Sequence, residues 1–211
     1  MSDTKNTILI IAAIVAIFLG VIFGLSKMSS SQLPATSVDV QTLVEGARFV
    51  QNTGEVKATV VVFADIQCPS CKAAESSLSS LRAMDGVSYV VRHFPLPPNI
   101  HKYALISAKA VEAGRVLGKG WEMMEVMFDK QSEWSESNDP EKLFVEYATS
   151  LGISAAEFEE KMNSSEVADL VQQDVNLANS LKLSGTPTIF VNGEQIGAPF
   201  VLDKVKEILS K

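Results

Sequence analysis

Residues 58–71 read Ala58-Thr59-Val60-Val61-Val62-Phe63-Ala64-Asp65-Ile66-Gln67-Cys68-Pro69-Ser70-Cys71. The first seven are rich in β-branched side chains with hardly a polar group, the pattern of a strand covered on both faces. Immediately behind it stand two cysteines, the only two in the chain. Ala73 to Met84 then reads as a helix, with Leu78 and Leu81 facing inward and Asp85-Gly86 ending it. Val87 to Phe94 is a second strand. Strand, helix and strand in such close order form a βαβ unit, whose crossover should be right-handed.

On the N-terminal side, Val40, Leu43, Val44 and Ala47 recur at helical spacing, which predicts a helix over Val38 to Gln51, broken by Asn52-Thr53-Gly54. On the C-terminal side the pattern turns helical from about residue 99 to 183. His101 to Leu117 carries Ala104, Ala108, Val111 and Ala113 on one face, and Trp121 to Phe128 continues with Met123, Met124 and Met127. Asp139-Pro140 caps and opens a helix through Leu151, and Ser154 with Glu157 has the form of a capping box. Ser165 to Leu183 closes the block. Thr188 to Val191 is a strand, Asn192-Gly193 a hairpin turn, Gln195 to Gly197 the return, and Phe200 to Leu209 a terminal helix. Two β-rich ends therefore enclose a helical block. They must share one sheet, because an isolated hairpin does not stand alone in water. The reading is an α/β domain over residues 38–211 with a helical insertion at about 99–183.

The first 28 residues differ. Ile8 to Leu25 is an uninterrupted apolar run between Lys5 and Lys27. As a helix it rises about 27 Å, close to the thickness of a bilayer's hydrocarbon. A cleaved signal has a shorter apolar core and a small-residue cleavage site, and Ser26-Lys27-Met28 makes a poor one. Residues 1–28 are thus expected to be an uncleaved signal anchor, one transmembrane helix spanning residues 8–25. Residues 29–37, Ser-rich and interrupted by Pro34, read as a flexible linker. One Lys on each side, with Asp3, leaves the positive-inside rule almost silent on orientation. The formal net charge is −7 with no basic block, which argues against nucleic acid as a partner.

The spacing of the cysteines carries the chemistry. A disulfide stabilises by closing a long loop, so a Cys68–Cys71 ring gains little of that kind. It suits cycling between dithiol and disulfide instead. Cys68 falls near a helix N-terminus, where unpaired N–H groups and the helix dipole favour the thiolate. Cys68 is expected to be the exposed nucleophile, and Cys71, one turn deeper, the shielded resolving thiol. Pro69 suits the first turn of the helix. A zinc site would need more ligands, and His93 and His101, the only histidines, are eight residues apart. No carboxylates have calcium-loop spacing. No metal and no cofactor are expected.

Three segments together resemble the DsbA-like branch of the thioredoxin superfamily, its extracytoplasmic group with a large helical insertion. They are Phe63 to Cys71, Arg92-His93-Phe94-Pro95-Leu96, and Gly185-Thr186-Pro187-Thr188-Ile189-Phe190-Val191-Asn192-Gly193. The resemblance covers roughly Val56 to Lys211. It implies a thioredoxin-like fold and a thiol–disulfide oxidoreductase that introduces disulfides into reduced, unfolded secreted or surface proteins. It also implies reoxidation by a membrane quinone-linked partner of DsbB-like or VKOR-like type. Thr186–Pro187 is then a cis peptide facing the disulfide, with the Thr186 backbone beside Cys68. Strong oxidants of this type often carry His between the cysteines, where this chain has Pro69-Ser70. A reductase or isomerase kept reduced by a transmembrane donor is therefore the alternative, and a tethered, non-catalytic binding module a further one. Asp65 could relay protons to Cys71 or be an acidic residue at a strand end. Lys72 reads as solvated, and His93 and His101 as surface or packing residues. Disulfides persist outside the cytoplasm, so the catalytic domain is expected on the extracytoplasmic side of the cell membrane.

Overall fold

The computed structural model describes residues 37–211. The expected anchor over 1–28 and all of the linker except Ser37 lie outside the described residues. Among the described residues no helix is long and apolar enough to cross a membrane.

Five strands form one sheet in the order β1-β3-β2-β4-β5: β1 (Phe49–Thr53), β2 (Ala58–Ala64), β3 (Val87–His93), β4 (Thr188–Val191) and β5 (Glu194–Gln195). The apolar run at 58–64 is the central strand β2, buried at every position but Thr59. It lies parallel to β3, Ala58 opposite Val87 and Ala64 opposite His93. It lies antiparallel to β4, Phe63 opposite Thr188. The two ends of the chain thus share a sheet across the helical insertion.

Because successive side chains alternate faces, Val60, Val62 and Ala64 point into one core and Val61 and Phe63 into another. The first core takes in Tyr89, Met123, Met124, Met127, Trp134, Phe144 and Phe158. The methionines and Trp134 are therefore core, while Trp121 is half-buried and packs edge-on against Phe49. The second core holds Leu43, Val90, Phe190 and Ala178.

The predicted helix over 38–51 is corrected. Only Val40–Val44 (α1) is helical, capped by Asp39, whose carboxylate accepts from the Thr42 amide. The chain turns at Gly46 (φ 67°) and runs on as β1, antiparallel to β3 at the sheet edge. Only Phe49 of β1 is buried and the next three residues are exposed, so the strand leaves almost no alternation to read.

The helix after the cysteines spans Pro69–Leu78 (α2) and tightens into a 3₁₀ turn over Ser79–Ala83, starting four residues before the predicted Ala73. The insertion is six helices: α3 (Ala104–Val116), α4 (Gly120–Asp129), α5 (Gln131–Ser135), α6 (Pro140–Ser150), α7 (Ala155–Met162) and α8 (Ser165–Ser180). Helix α9 (Val201–Leu209) closes the chain. Asp139 caps α6 through the Lys142 amide and Ser164 caps α8 through the Val167 amide, whereas Ser154 makes no side-chain cap bond, contrary to the expected capping box.

Buried ion pairs fasten the insertion to the sheet. Asp174 on α8 accepts from Arg92 on β3 and from Arg48, both at 2.8 Å. Glu112 on α3 meets Arg48 at 3.0 Å, Arg115 at 2.8 Å and His93 at 3.3 Å. Burial pushes the Glu112 carboxyl up, but the His93 hydrogen bond and the charges of His93, Arg48 and Arg115 outweigh it and hold the group at about 2. Of the two expectations for His93, surface or packing, the structure shows packing: it is buried against Phe49, with its Nε2 within hydrogen-bond distance of Glu112.

Candidate active site

Helix α2 begins where β2 ends, and Cys68 is its N-cap. The Cys68 carbonyl accepts from the amides of Cys71 (3.0 Å) and Lys72 (3.1 Å), closing the first turn. Pro69 occupies the first helical position, where no N–H is needed. Both cysteines are free thiols. Cys71 points inward, and its sulfur receives the Asp65 amide at 3.5 Å.

The expectation of an exposed nucleophile needs correcting. Cys68 is 6% exposed and Cys71 2%, so Cys68 is only the more open of two covered sulfurs. Part of the cover is the Thr186–Pro187 segment. That peptide bond is cis, and the Thr186 carbonyl oxygen lies 3.5 Å from Cys68 Sγ. Thr186 and Pro187 are half-buried, while Pro69 and Ser70 are exposed at the rim.

The two sulfurs differ sharply in acidity. The Cys71 thiol donating to Cys68 is the largest influence and, against the upward pull of burial, brings Cys68 from 9.0 to about 5. The Thr186 side chain and the amides of Cys71 and Ser70 lower it further. The same shared proton, with burial, pushes Cys71 far above the ordinary thiol range. At neutral pH the pair therefore holds one thiolate, on Cys68, and one proton, on Cys71. Lys72 takes no part in this, since its ammonium donates to the Asp129 carbonyl at 3.1 Å.

Asp65 is fully buried, and its carboxylate is occupied elsewhere. It accepts from the amides of Gln67 (2.7 Å) and Leu96 (2.9 Å) and pairs with His101 Nδ1 at 2.7 Å. Its amide, not its carboxylate, meets Cys71. Asp65 thus ties the cysteine loop to residues 96–101, and His101, expected as a surface or packing residue, is its partner. Two further residues support the loop. Gln131 on α5 donates to the carbonyls of Ile66 (2.7 Å) and Cys68 (3.0 Å), and Gln67 Oε1 accepts from the Tyr103 amide at 2.6 Å. Nothing local in the sequence marks Gln131, which reaches the loop from 63 residues away. Among the described residues no three His, Cys, Asp or Glu side chains gather where they could share a metal ion.

Comparison with known proteins places this geometry. The family model described as thioredoxin matches residues 51–211. A Na(+)/H(+) antiporter NhaA 3 of Salinispora tropica is 33% identical over 168 residues, 79% of this chain and 25% of that protein. The chain spans about a quarter of the length of the curated relatives it matches, and their name describes those longer proteins. Among solved structures, oxidised BdbD of Bacillus subtilis superposes with a TM-score of 0.70 at 23% identity, covering 84% of this chain and 99% of that one. A thioredoxin-like oxidoreductase of Silicibacter pomeroyi gives 0.67 at 23% identity, covering 82% and 99%. A buried parallel β2–β3 pair, a Cys-Pro-Ser-Cys turn on a helix N-terminus, a facing cis-proline and a matching family model agree, and the chain belongs to the thioredoxin family, with the DsbA-like fold.

Proposed function

We propose that this protein is a thiol–disulfide oxidoreductase working as a dithiol oxidase, whose Cys68–Cys71 disulfide is passed to reduced, unfolded proteins outside the cytoplasm. The observation that carries the reading is the placing of Cys68 at the N-cap of α2, facing the cis Thr186–Pro187 bond, with Cys71 one turn deeper; the Cys71 thiol donating to it brings Cys68 to about 5. A thiolate this stable is a good leaving group, and it stabilises the reduced form, which makes the disulfide oxidising. A client thiolate attacks Cys68 Sγ, the Cys68–Cys71 bond breaks, and Cys71 leaves with the electron pair. A second client thiol then attacks the client sulfur of the mixed disulfide, giving a client disulfide and Cys68 thiolate. The two electrons stay on the protein as a dithiol, so each turnover needs a reoxidase, for which a membrane quinone-linked protein is the fitting class. The apolar run at residues 8–25 supports anchoring both reactions at one membrane, with the domain on its outer side.

Ser70 in place of a charged residue between the cysteines favours the second reading, a reductase or isomerase, because it contributes no positive charge to the thiolate. Equilibration of the protein with glutathione separates the two. An oxidase equilibrates at about −180 to −120 mV, and a value near about −270 mV establishes the reductase reading instead.

A further inference from the structure

Ser70 brings no charge to Cys68, so the thiolate depends on where the loop holds its sulfur, against the Cys71 thiol that donates to it and beside Thr186. A hydrogen bond weakens steeply with distance and angle, so a shift of that loop weakens both contacts at once. Whatever fixes the loop is therefore part of the chemistry.

Asp65 is its anchor. The Asp65 carbonyl accepts from the Cys68 amide at 3.1 Å, and its own amide donates to Cys71 Sγ at 3.5 Å, so the main chain of one residue touches both cysteines. Its side chain fixes that main chain in turn. Oδ1 accepts from the Gln67 amide at 2.7 Å, closing the turn into Cys68, and Oδ2 accepts from the Leu96 amide at 2.9 Å. The carboxyl is fully buried, and a buried acid is costly unless it is paired. Among the described residues, the one basic side chain in ion-pair reach of it is His101, with Nδ1 at 2.7 Å from Oδ2. His101 lies 36 residues along the chain, in the segment that opens the insertion, so it holds Asp65 from outside the loop.

Both carboxylate oxygens already accept amides, so the hydrogen between the two side chains is the ring's and Nδ1 is the donor. Nε2 makes no hydrogen bond among the described residues, and the side chain is 18% exposed. The Nδ1–H of this tautomer is present in the imidazolium as well, so the contact holds in either charge state of the ring.

We propose that His101 is a positioning residue of the redox pair: acting through Asp65, it holds Cys68 where its thiolate is stabilised, and so gives the disulfide oxidising power that Ser70 does not supply. The assignment rests on the oxidoreductase reading. The equilibrium it biases takes the protein disulfide and two glutathione thiols to the protein dithiol and glutathione disulfide. Two electrons pass to the protein; one proton stays on Cys71 and the other is released, leaving Cys68 as thiolate. Stabilising that thiolate draws the equilibrium toward the reduced protein.

Equilibration of the whole chain with glutathione reads the bias. His101→Leu, which fills the space without a donor, is expected to shift the constant at least about tenfold toward the disulfide, about 30 mV, and to raise the pH midpoint of Cys68 alkylation. His101→Asn, which restores an N–H at the same branch of the side chain, should recover most of the shift. Glu112→Gln, which weakens the fold away from the loop, should leave the constant unchanged. Coupling is reciprocal, so reduction acts back on the contact. The ring ¹⁵N signals of His101, one of two histidines in the chain, should therefore differ between the dithiol and disulfide forms. A folded His101→Leu protein with the wild-type constant overturns the assignment, and so does an equal shift in Glu112→Gln. If His101→Leu does not fold, ring signals identical in the two redox forms overturn it equally. A wild-type potential in the reductase range, with the His101→Leu shift intact, overturns the oxidase reading and upholds the assignment. A wild-type disulfide that does not exchange with glutathione removes the oxidoreductase reading, and the assignment with it.

Discussion

Acidifying the reduced protein from about pH 8 to about pH 4.5 is expected to erase a stabilisation that its Cys68→Ser variant lacks at every pH. Cys68 falls from 9.0 unfolded to about 5 folded, so folding releases a proton between those values. The contribution is full above 9, shrinks as pH falls, and is gone once pH has passed through about 5. At pH 7 it corresponds to the two units between 7 and 5, at about 1.36 kcal/mol each. That sets a ceiling near about 2.7 kcal/mol, reduced to about 2 kcal/mol by solvent screening at the rim of the site. Cys71 adds nothing here, because its thiol is protonated both folded and unfolded below pH 9. Urea denaturation of both reduced proteins, taken as the difference at each pH, isolates the term from every other titrating group. A difference that stays flat between about pH 5 and 8 refutes the thiolate argument, whatever its absolute size.

Two other substitutions probe the frame around the sulfurs. Gln131→Leu removes the amide donor from two buried carbonyls and should cost about 1–3 kcal/mol in denaturant melts. It should also raise the midpoint of Cys68 alkylation against pH, since it frees the loop that presents the sulfur. Glu112→Gln leaves Arg48, Arg115 and His93 without their shared anion and should cost about 3–5 kcal/mol by urea midpoint at pH 7. Because the Glu112 carboxyl is held at about 2 against 4.5 unfolded, its contribution is present above 4.5 and is lost as pH falls through 2, so the gap between variant and wild type should close in strong acid.

The strands that bury both faces were readable from their β-branched and aromatic runs: β2 carries only Thr59 as a polar residue, and β3 holds Val87, Tyr89, Val90 and Val91 ahead of Arg92 and His93. Strand β1 was not readable, because an edge strand with only Phe49 inward carries no period, while Val40, Leu43, Val44 and Ala47 upstream do carry a helical one. The two sulfurs were legible from spacing and position alone. The degree of cover on Cys68 was not, since part of it comes from Thr186, 118 residues away. The carboxylates were the least legible. Asp65 had the right place in the chain for a proton relay, but its role is decided by amides and a histidine from the 96–101 segment. Glu112 and Asp174 look like ordinary helix acids until Arg48, Arg92 and His93 are brought against them over separations of up to 126 residues. Ion pairs of that kind have no spacing rule to betray them.

The β4–β5 hairpin lies at the far end of the sheet from the sulfurs: Thr188 sits beside the end of β2 that leads to Cys68, and Val191 beside its beginning, at Val60. Val38 is stitched to that hairpin by its amide on the Gly193 carbonyl, and Ser37 bridges to Glu194. The first described residues, Ser37 and Val38, therefore lie at the end of the sheet opposite Cys68. Within the described residues, whatever enters or leaves Cys68 does so at the opposite end of β2 from the stitched Ser37–Val38 segment, so changes at either end of the sheet can be made without touching the other.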